Sequence, residues 1–547
     1  MSRLLQTAIS ERAAARPEAR ALVSPDGELT YGELETTSNR LARMLRELDC
    51  RRGDRVAVLS PKSPATIAGL IGVLKADAAY VPLDPAGPPA RLARMLEKCG
   101  CHSILASGKT AALLRETLAC ASLETRPLVG WLDAAAPDAE PPPAFTATDL
   151  ESLPATAPAS VNRDTDLAHI LFTSGSTGIP KGVMITHYSV LRFLEWAAGT
   201  FGLCAADRAS QHPPLHFDLS TFDIFGTLGA GAELHLVPPS LNLLPHKLAQ
   251  FIRRSRLTQW FSVPSVLNLM AKFDVLQQGD FPDLRRVLWC GEVLPTPTLI
   301  HWMRLVPHAR FTNLYGPTET TIASSHYTLP RCPRHGQEPV PIGSACAGEE
   351  LLLLDAAMQP VADGEIGDLY IRGVGLSPGY WRDPEKTDSV FVPHRTDGGT
   401  EERIYRTGDL ARRGEDGLIY FAGRRDHQIK SRGYRIELGE VEAALSALPE
   451  LRESAVVAVQ SEGFEGWMIC CAYVPLRGRS LDPQHLRARL ARVLPNYMLP
   501  GHWMRCEALP RNANGKTDRP VLRRRFLEAA RTAGADGARA ALMSARH

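Results

Sequence analysis

Hydrophobic positions recur with two different periods along the chain. From Tyr31 to Leu48, Leu34, Leu41, Ala42 and Leu45 return near every 3.6 residues, which predicts an amphipathic helix. Thr30 followed by Tyr31-Gly32-Glu33 supplies a capping box at its start. Arg55–Leu59 (RVAVL) is short, apolar and β-branched, and predicts a strand; Ala65–Leu74 predicts an apolar helix, and a further strand falls in Gly100–Ala106. This strand–helix rhythm argues for α/β layers. It pauses at Ala134–Ser160, where six prolines (137, 141, 142, 143, 154 and 158) and weak periodicity predict an exposed connector. The rhythm resumes with strands at Ile170–Thr173, Gln259–Val263 and Val287–Cys290. Residues 350–425 read as β-rich, with many glycines and short runs such as Leu369-Tyr370-Ile371. From about 426 a smaller α+β pattern begins. It has helices at Leu438–Leu448 and Pro483–Val493 and strands near Glu453–Gln460 and Trp467–Val474. The expected division is a large α/β region with a β-rich subdomain over 1–425, a small α+β domain over 426–528, and a tail over 529–547.

Composition narrows the classes. The 547 residues carry 62 Lys plus Arg against 60 Asp plus Glu, a formal charge of +2, which disfavours a polyanion binder held by bulk charge. At 44% hydrophobic the chain can bury a self-sufficient core. Eleven cysteines with no CxxC spacing read as reduced thiols. The N-terminus lacks the apolar core of a signal peptide, and no stretch approaches eighteen apolar residues. A cytoplasmic protein without nucleic-acid or membrane partners is expected.

The segment Leu171–Gly182 (LFTSGSTGIPKG) packs three glycines and four hydroxyls between a strand and a later helix. Glycine lets backbone wrap an anion, hydroxyls and amides donate to it, and Lys181 supplies charge. Gly182 follows Lys181, so this is not the GxxxxGK[ST] loop. Taken alone, the segment fits a phosphate cradle or a Ser/Gly-rich surface turn.

Seven further segments share the chain with it in a fixed order. They are Leu29–Leu34, Leu74–Asp84, Asn313–Thr320 (NLYGPTET), Gly364–Gly367, Tyr405–Leu410 (YRTGDL), Gly423–Lys430 and Asn514–Lys516. Together they resemble the adenylate-forming ligases, specifically the amino-acid adenylation domains of nonribosomal peptide synthesis, over roughly 510 residues. The resemblance implies ATP and Mg²⁺ as cofactors. It implies that Thr173, Ser174, Gly175, Ser176, Thr177, Gly178 and Lys181 cradle the β- and γ-phosphates. Asn313, Tyr315 and Gly316 correspond to residues around the adenine, Thr318 to one near the α-phosphate, Asp409 to the ribose acceptor and Arg424 to its helper. Glu319 corresponds to the metal-holding glutamate, Asp426 to the interdomain hinge, and Lys516 to the catalytic lysine. A mobile ammonium suits that last role, because a carboxylate attacking an α-phosphate brings two anions together.

The segment His216–Asp223 (HFDLSTFD) sets the expected substrate class. Asp218 matches the residue that pairs with a substrate α-ammonium. By the same carry-over the pocket is lined by Asp218, Leu219, Phe222, Ser262, Leu288, Cys290, Leu314, Ile322 and Ala323, with Lys516 at the carboxylate. Apart from Asp218 and Lys516 this lining is uncharged, so a small to medium neutral amino acid is expected. Proline is slightly favoured; alanine, cysteine and a branched aliphatic stay open. After Lys516 only 31 residues remain, without a Ser-centred phosphopantetheine motif. The expectation is therefore a free-standing ligase that loads a separate phosphopantetheinyl carrier protein. Two rivals remain. An acyl- or aryl-CoA ligase of the same fold is disfavoured by Asp218. A non-catalytic binding protein is disfavoured by the presence of Lys181, Glu319, Asp409 and Lys516.

Overall fold

The computed structural model describes residues 3–133, 142–175, 179–395, 399–426, 428–460, 467–476, 481–512 and 516–529. The chain divides into two compact units, Met1–Thr173 with Lys181–Asp426, and Ser174–Pro180 with His427–His547.

The larger unit is built on three sheets. Nine strands form the widest, in the order Ser344–Ala345, Ser325–Thr328, Arg310–Tyr315, Arg286–Cys290, Gln259–Ser262, Arg208–Gln211, Glu233–Leu236, Arg20–Ser24 and Gly27–Thr30. The six inner strands run parallel. In such a sheet the carboxyl ends open onto one crevice, where ligands bind in α/β proteins. Ser262, Cys290, Leu314 and Tyr315 all lie at those ends. A second sheet orders Leu128–Trp131, Ser103–Ala106, Arg55–Leu59, Ala79–Pro82, Leu167–Thr173 and Lys181–Thr186, parallel except for its last pair. The third is antiparallel and five-stranded, spanning Glu349–Leu354 to Ile419–Arg424, where the β-rich stretch is predicted.

Buried apolar residues account for the layers. Leu34, Leu41, Ala42 and Leu45 of the helix Tyr31–Glu47 lie in one core with Ile67, Leu70, Ile71 and Leu74 of the helix Pro64–Lys75. The capping box is present: Glu33 N donates to Thr30 Oγ1 at 3.2 Å and Thr30 N to Glu33 Oε2 at 2.7 Å.

Two local expectations gain detail. Between the expected strand and the later helix, the Gly-rich loop is followed first by a second strand. Leu167–Thr173 pairs antiparallel with Lys181–Thr186, Thr173 opposite Lys181, and the helix His187–Phe201 begins only afterwards. The proline-rich connector is exposed over most of its described residues, as expected, but it is also held in place. Residues 134–141 lie outside the described residues, but beyond them Phe145 is 2% exposed and seats its ring where Gly130 has no side chain. Further on the connector is strapped to the helix Tyr31–Glu47. Arg40 Nε donates to Leu153 O, Arg43 Nε to Thr156 O and Arg46 Nη1 to Ala159 O, at 2.8 to 3.0 Å. Asp77 closes the strap, accepting from Ser160 Oγ (2.5 Å), Val161 N (3.0 Å) and Arg46 Nη2 (2.8 Å). Prolines remove backbone donors and leave carbonyls behind. An arginine row meets those acceptors, a pairing that periodicity does not register.

The smaller unit has a two-stranded ribbon, Gln428–Ser431 with Tyr434–Glu437, and a three-stranded sheet of Leu451–Gln460, Trp467–Pro475 and His502–Arg505. Helices Leu438–Ser446 and Pro483–Leu490 share one core with one face of that sheet, through Val441, Leu445, Leu486, Leu490, Val456 and Cys471. Cys470 belongs to the core on the other face. No disulfide joins any of the eleven cysteines.

Candidate active site

The crevice of the nine-stranded sheet gathers most of the predicted amino-acid subsite. Leu219, Phe222, Leu288, Cys290, Leu314, Ile322 and Ala323 fall in one buried cluster. Leu288, Cys290 and Leu314 share a sheet face because side chains alternate along a strand and Cys290 lies opposite Leu314. Val287, Trp289 and Phe311 point to the other core. Cys290 Sγ donates to Ile322 O at 3.8 Å. Ser262 Oγ accepts from Trp260 Nε1 at 2.9 Å and donates to Val263 O at 3.3 Å, so much of its polarity is already used. Sequence reasoning missed the aromatic wall. Phe193, Phe201 and Phe261 pack around Phe222 with ring centroids 5.5 to 6.2 Å apart. Phe193 and Phe201 come from the helix His187–Phe201, outside every motif quoted above.

Asp218 is buried at the head of a helical run that continues from Leu219 to Ala230 through a π-turn at Phe222–Gly226. A carboxylate there would ordinarily cap the helix, yet Asp218 makes no cap hydrogen bond. Ser220 Oγ donates instead to Phe217 O (2.6 Å) and Leu215 O (3.1 Å), tightening the turn that presents Asp218.

The next loop is strained. Gly316 approaches the returning chain so closely that a Cβ there would lie 2.6 Å from Ala323 Cα. Between them Thr321 (φ 59°) and Ile322 (φ 72°) both occupy left-handed backbone, rare for β-branched residues. Such strain costs about 1–3 kcal/mol per residue and gathers at functional sites. Thr321 Oγ1 anchors the bend by donating to Gly375 O at 2.7 Å. Thr318 and Glu319 lie on the single turn Thr318–Thr320.

Glu319 is fully buried, and Tyr380 Oη donates to its Oε1 at 2.7 Å. Lys181 Nζ lies 5.0 Å from the centroid of the same Tyr380 ring. Tyr380 thus links the metal-glutamate candidate to the phosphate-loop lysine; nothing in the local sequence singled it out. Among the described residues no group of three or more His, Cys, Asp or Glu could hold a metal alone. The buried Glu319 carboxylate offers the kind of oxygen donor that a hard cation takes.

Asp409 and Arg424 sit opposite one another on adjacent strands and form a close ion pair. Tyr315 Oη donates to Asp409 Oδ2 at 2.5 Å. Burial, then the Asp409 charge, push the Tyr315 phenol well above its ordinary range, so it stays a donor. Arg424 also donates to Asp426 at 2.7 and 2.8 Å. Asn313 Nδ2 donates to Pro341 O at 2.8 Å. The structure brings Tyr315, Asp409 and Arg424 together, although Tyr315 and Asp409 lie 94 residues apart in the chain.

In the phosphate loop, Thr173 Oγ1 is buried without a hydrogen-bond partner in the described residues. Ser176, Thr177 and Gly178 lie outside the described residues. Within the smaller unit Ser174 Oγ donates to Arg435 O at 2.7 Å and Gly175 N to Glu440 Oε2 at 3.3 Å. Lys516 is exposed; its amide donates to Asn512 Oδ1 at 3.0 Å, and Asn512 N donates to Lys516 O at 2.8 Å.

Two family models match the chain, the AMP-binding enzyme over residues 9–381 and the AMP-binding enzyme C-terminal domain over residues 440–516. The chain belongs to the AMP-binding enzyme family. It is 35% identical over 532 residues to bacitracin synthase 3 of Bacillus licheniformis, covering 97% of this chain and 8% of that protein. It is also 37% identical over 520 residues to an L-proline--[L-prolyl-carrier protein] ligase of Streptomyces coelicolor, covering 93% of each. Among solved structures, the Vibrio cholerae adenylation domain AlmE in complex with glycyl-adenosine-5'-phosphate superposes with a TM-score of 0.82. That pair is 27% identical, over 96% of this chain and 98% of that one. The chain spans only 6% to 11% of the length of the peptide synthases it matches. Among the described residues no helix is long and apolar enough to cross a membrane.

Proposed function

We propose that the chain is an amino acid–carrier protein ligase. It activates a small to medium neutral amino acid with ATP, releases pyrophosphate, and passes the aminoacyl group to a phosphopantetheine thiol on a separate carrier protein. Proline is the favoured substrate. The observation that carries this reading is Asp218, a buried carboxylate at the start of the helical run whose Leu219 and Phe222 belong to an apolar, aromatic-walled cluster. A carboxylate so placed can accept charge-assisted hydrogen bonds, and the α-ammonium of an amino acid is a donor of matching charge. The proline-carrier ligase name of a relative matched along 93% of its length supports the substrate class.

In this reading Asp218 orients the ammonium, and the cluster from Leu219 to Ala323 receives the side chain. Asp409, held by Tyr315 and Arg424, accepts from the ribose hydroxyls, with Asn313 and Gly316 at the adenine and Thr318 near the α-phosphate. Thr173 to Lys181 donate to the outer phosphates. Glu319 would hold Mg²⁺, which supplies charge neutralisation for the polyphosphate. The carboxylate oxygen of the amino acid attacks the α-phosphorus, the bond to pyrophosphate breaks, and Lys516 stabilises the charge gathered between them. Asp426 is the hinge between the body over 1–425 and the small domain over 426–528, and domain rotation separates the two half-reactions.

The test is ATP–pyrophosphate exchange screened over the twenty standard amino acids, D-alanine and acids lacking an amine. A strong signal from one small neutral amino acid, lost in Asp218→Ala, supports the reading. Signal only from an amine-free acid transfers the chain to acyl- or aryl-CoA ligation.

A further inference from the structure

The turn that presents Asp218 is tied from behind by groups that no step above uses. Lys62 lies just past the strand Arg55–Leu59, in the six-stranded sheet. Its Nζ reaches the other large sheet and donates to the carbonyls of Gln211 at 3.1 Å and His212 at 2.8 Å. Gln211 is the last residue of its strand, and its carbonyl also accepts from Val237 N at 3.1 Å. His212 is one residue further, where the chain leaves the sheet for Asp218. Gln211 Nε2 donates to Pro213 O at 2.6 Å, so the exit is clasped on both sides.

Asp223 feels the Lys62 charge and the His212 amide. It lies five residues past Asp218, on the π-turn Phe222–Gly226, and is fully buried. Neither of its carboxylate oxygens makes a hydrogen bond of good geometry with the described residues. Burial pushes its carboxyl up, and the Lys62 charge and the His212 amide oppose that. Reciprocally, burial pushes the Lys62 ammonium down to about 7 and Asp223 opposes it. Two charges removed from water cost several kcal/mol each before pairing. An apolar side chain would fill the space without that cost, but would leave the His212 carbonyl without this donor.

We propose that Lys62, backed by Asp223, is the positioning residue of the amino-acid subsite: it fixes the exit turn Gln211–Asp218 and thereby sets where the Asp218 carboxylate meets the substrate ammonium. This rests on the reading of Asp218 given above. The device links two sheets through one side chain, so its loss moves Asp218 without touching the nucleotide-holding residues Asn313, Tyr315, Asp409 and Arg424.

The experiment compares the full chain with Lys62→Met, Lys62→Arg and Asp223→Asn. The assay is ATP–pyrophosphate exchange with the fastest of L-proline, L-cysteine, L-alanine and L-valine, with circular dichroism and thermal midpoints run alongside. Lys62→Met is expected to raise the amino-acid KM tenfold or more while the ATP KM stays within twofold. Lys62→Arg should recover at least half of that loss on a logarithmic scale, and Asp223→Asn should raise the amino-acid KM several-fold. A merely structural role would move both KM values together and would gain nothing from arginine. The proposal is overturned if Lys62→Met keeps its amino-acid KM within twofold, or if both KM values rise in parallel. Should Lys62→Met fail to fold, an unchanged amino-acid KM in both Lys62→Arg and Asp223→Asn overturns it equally. Absence of amino-acid-dependent exchange in the unaltered chain would instead remove the proposed function itself.

Discussion

Replacing Gly316 by alanine tests how tightly the loop between the nucleotide and amino-acid subsites is drawn. The added Cβ would lie 2.6 Å from Ala323 Cα, 2.9 Å from Ser324 N and 3.1 Å from Ala323 C. Carbon atoms in good contact sit about 3.5–4.0 Å apart, so the returning backbone must retreat by about 1 Å. All three neighbours are main-chain atoms, and no rotamer change relieves them. The retreat sacrifices the bond from Ser324 N to Tyr315 O, now 2.7 Å long. That is worth about 0.5–1.5 kcal/mol, and forced overpacking adds about 1–3 kcal/mol. A total destabilisation of about 2–4 kcal/mol follows. Function should suffer as well, since Ile322 and Ala323 ride on the displaced segment and a 1 Å misplacement can cost about a hundredfold in rate. Urea unfolding followed by tryptophan fluorescence measures the first effect and pyrophosphate exchange the second. Gly199→Ala is the control. Gly199 lies inside the helix His187–Phe201 with nothing within 4 Å of a Cβ, so this change should stabilise by about 0.4–1 kcal/mol. If Gly316→Ala unfolds like the parent and keeps both KM values within twofold, the close approach and its functional meaning are refuted.

Lys516→Ala should lower adenylation by orders of magnitude while nucleotide binding, followed by calorimetry, stays nearly intact; unchanged exchange would remove its catalytic role. Tyr380→Phe keeps the ring facing Lys181 but deletes the donor to Glu319, at about 1.5–3 kcal/mol for a bond to a charged group. The Mg²⁺ concentration for half-maximal exchange should rise at least tenfold, and an unaltered requirement would argue that Glu319 is held by other means. Burial raises the Glu349 carboxyl from an ordinary 4.5 to about 8, partly opposed by the Gly375 amide. The folded state then holds the proton more tightly than the unfolded chain, so this group's stabilisation is complete below 4.5 and is lost as pH rises toward 8. Glu349→Gln should flatten that dependence in unfolding curves taken between pH 5 and 8, and an identical slope would contradict the assignment.

The sequence made the layers legible because burial imposes period on it. Leu34, Leu41 and Leu45 repeat as a helix face does, and Leu288 with Cys290 alternate as a strand does. The candidate site was legible where a motif names its chemistry: the resemblance pointed to Asp218, Glu319, Asp409 and Lys516 without coordinates, and the structure adds that Asp218 and Glu319 are buried and that Asp409 pairs with Arg424. What stayed hidden lies in contacts between distant segments. The Tyr315–Asp409 bond spans 94 residues, Lys62 reaches Gln211 across 149, and Tyr380 meets Glu319 across 61. The anchoring of the exposed connector stayed hidden for the same reason, since it derives from arginines 113 residues upstream.

The arginine strap changes what a break in the chain would do. Arg40, Arg43 and Arg46 sit on the N-terminal side of residues 134–141, and the carbonyls they hold sit on the other side. The six-stranded sheet is likewise sewn from both sides, with Ala79–Pro82 paired to Leu167–Thr173. A nick between Asp133 and Pro142 would therefore yield two fragments on a denaturing gel and one particle on a sizing column. The same position offers a place to divide the gene into two halves that reassemble only when both are made.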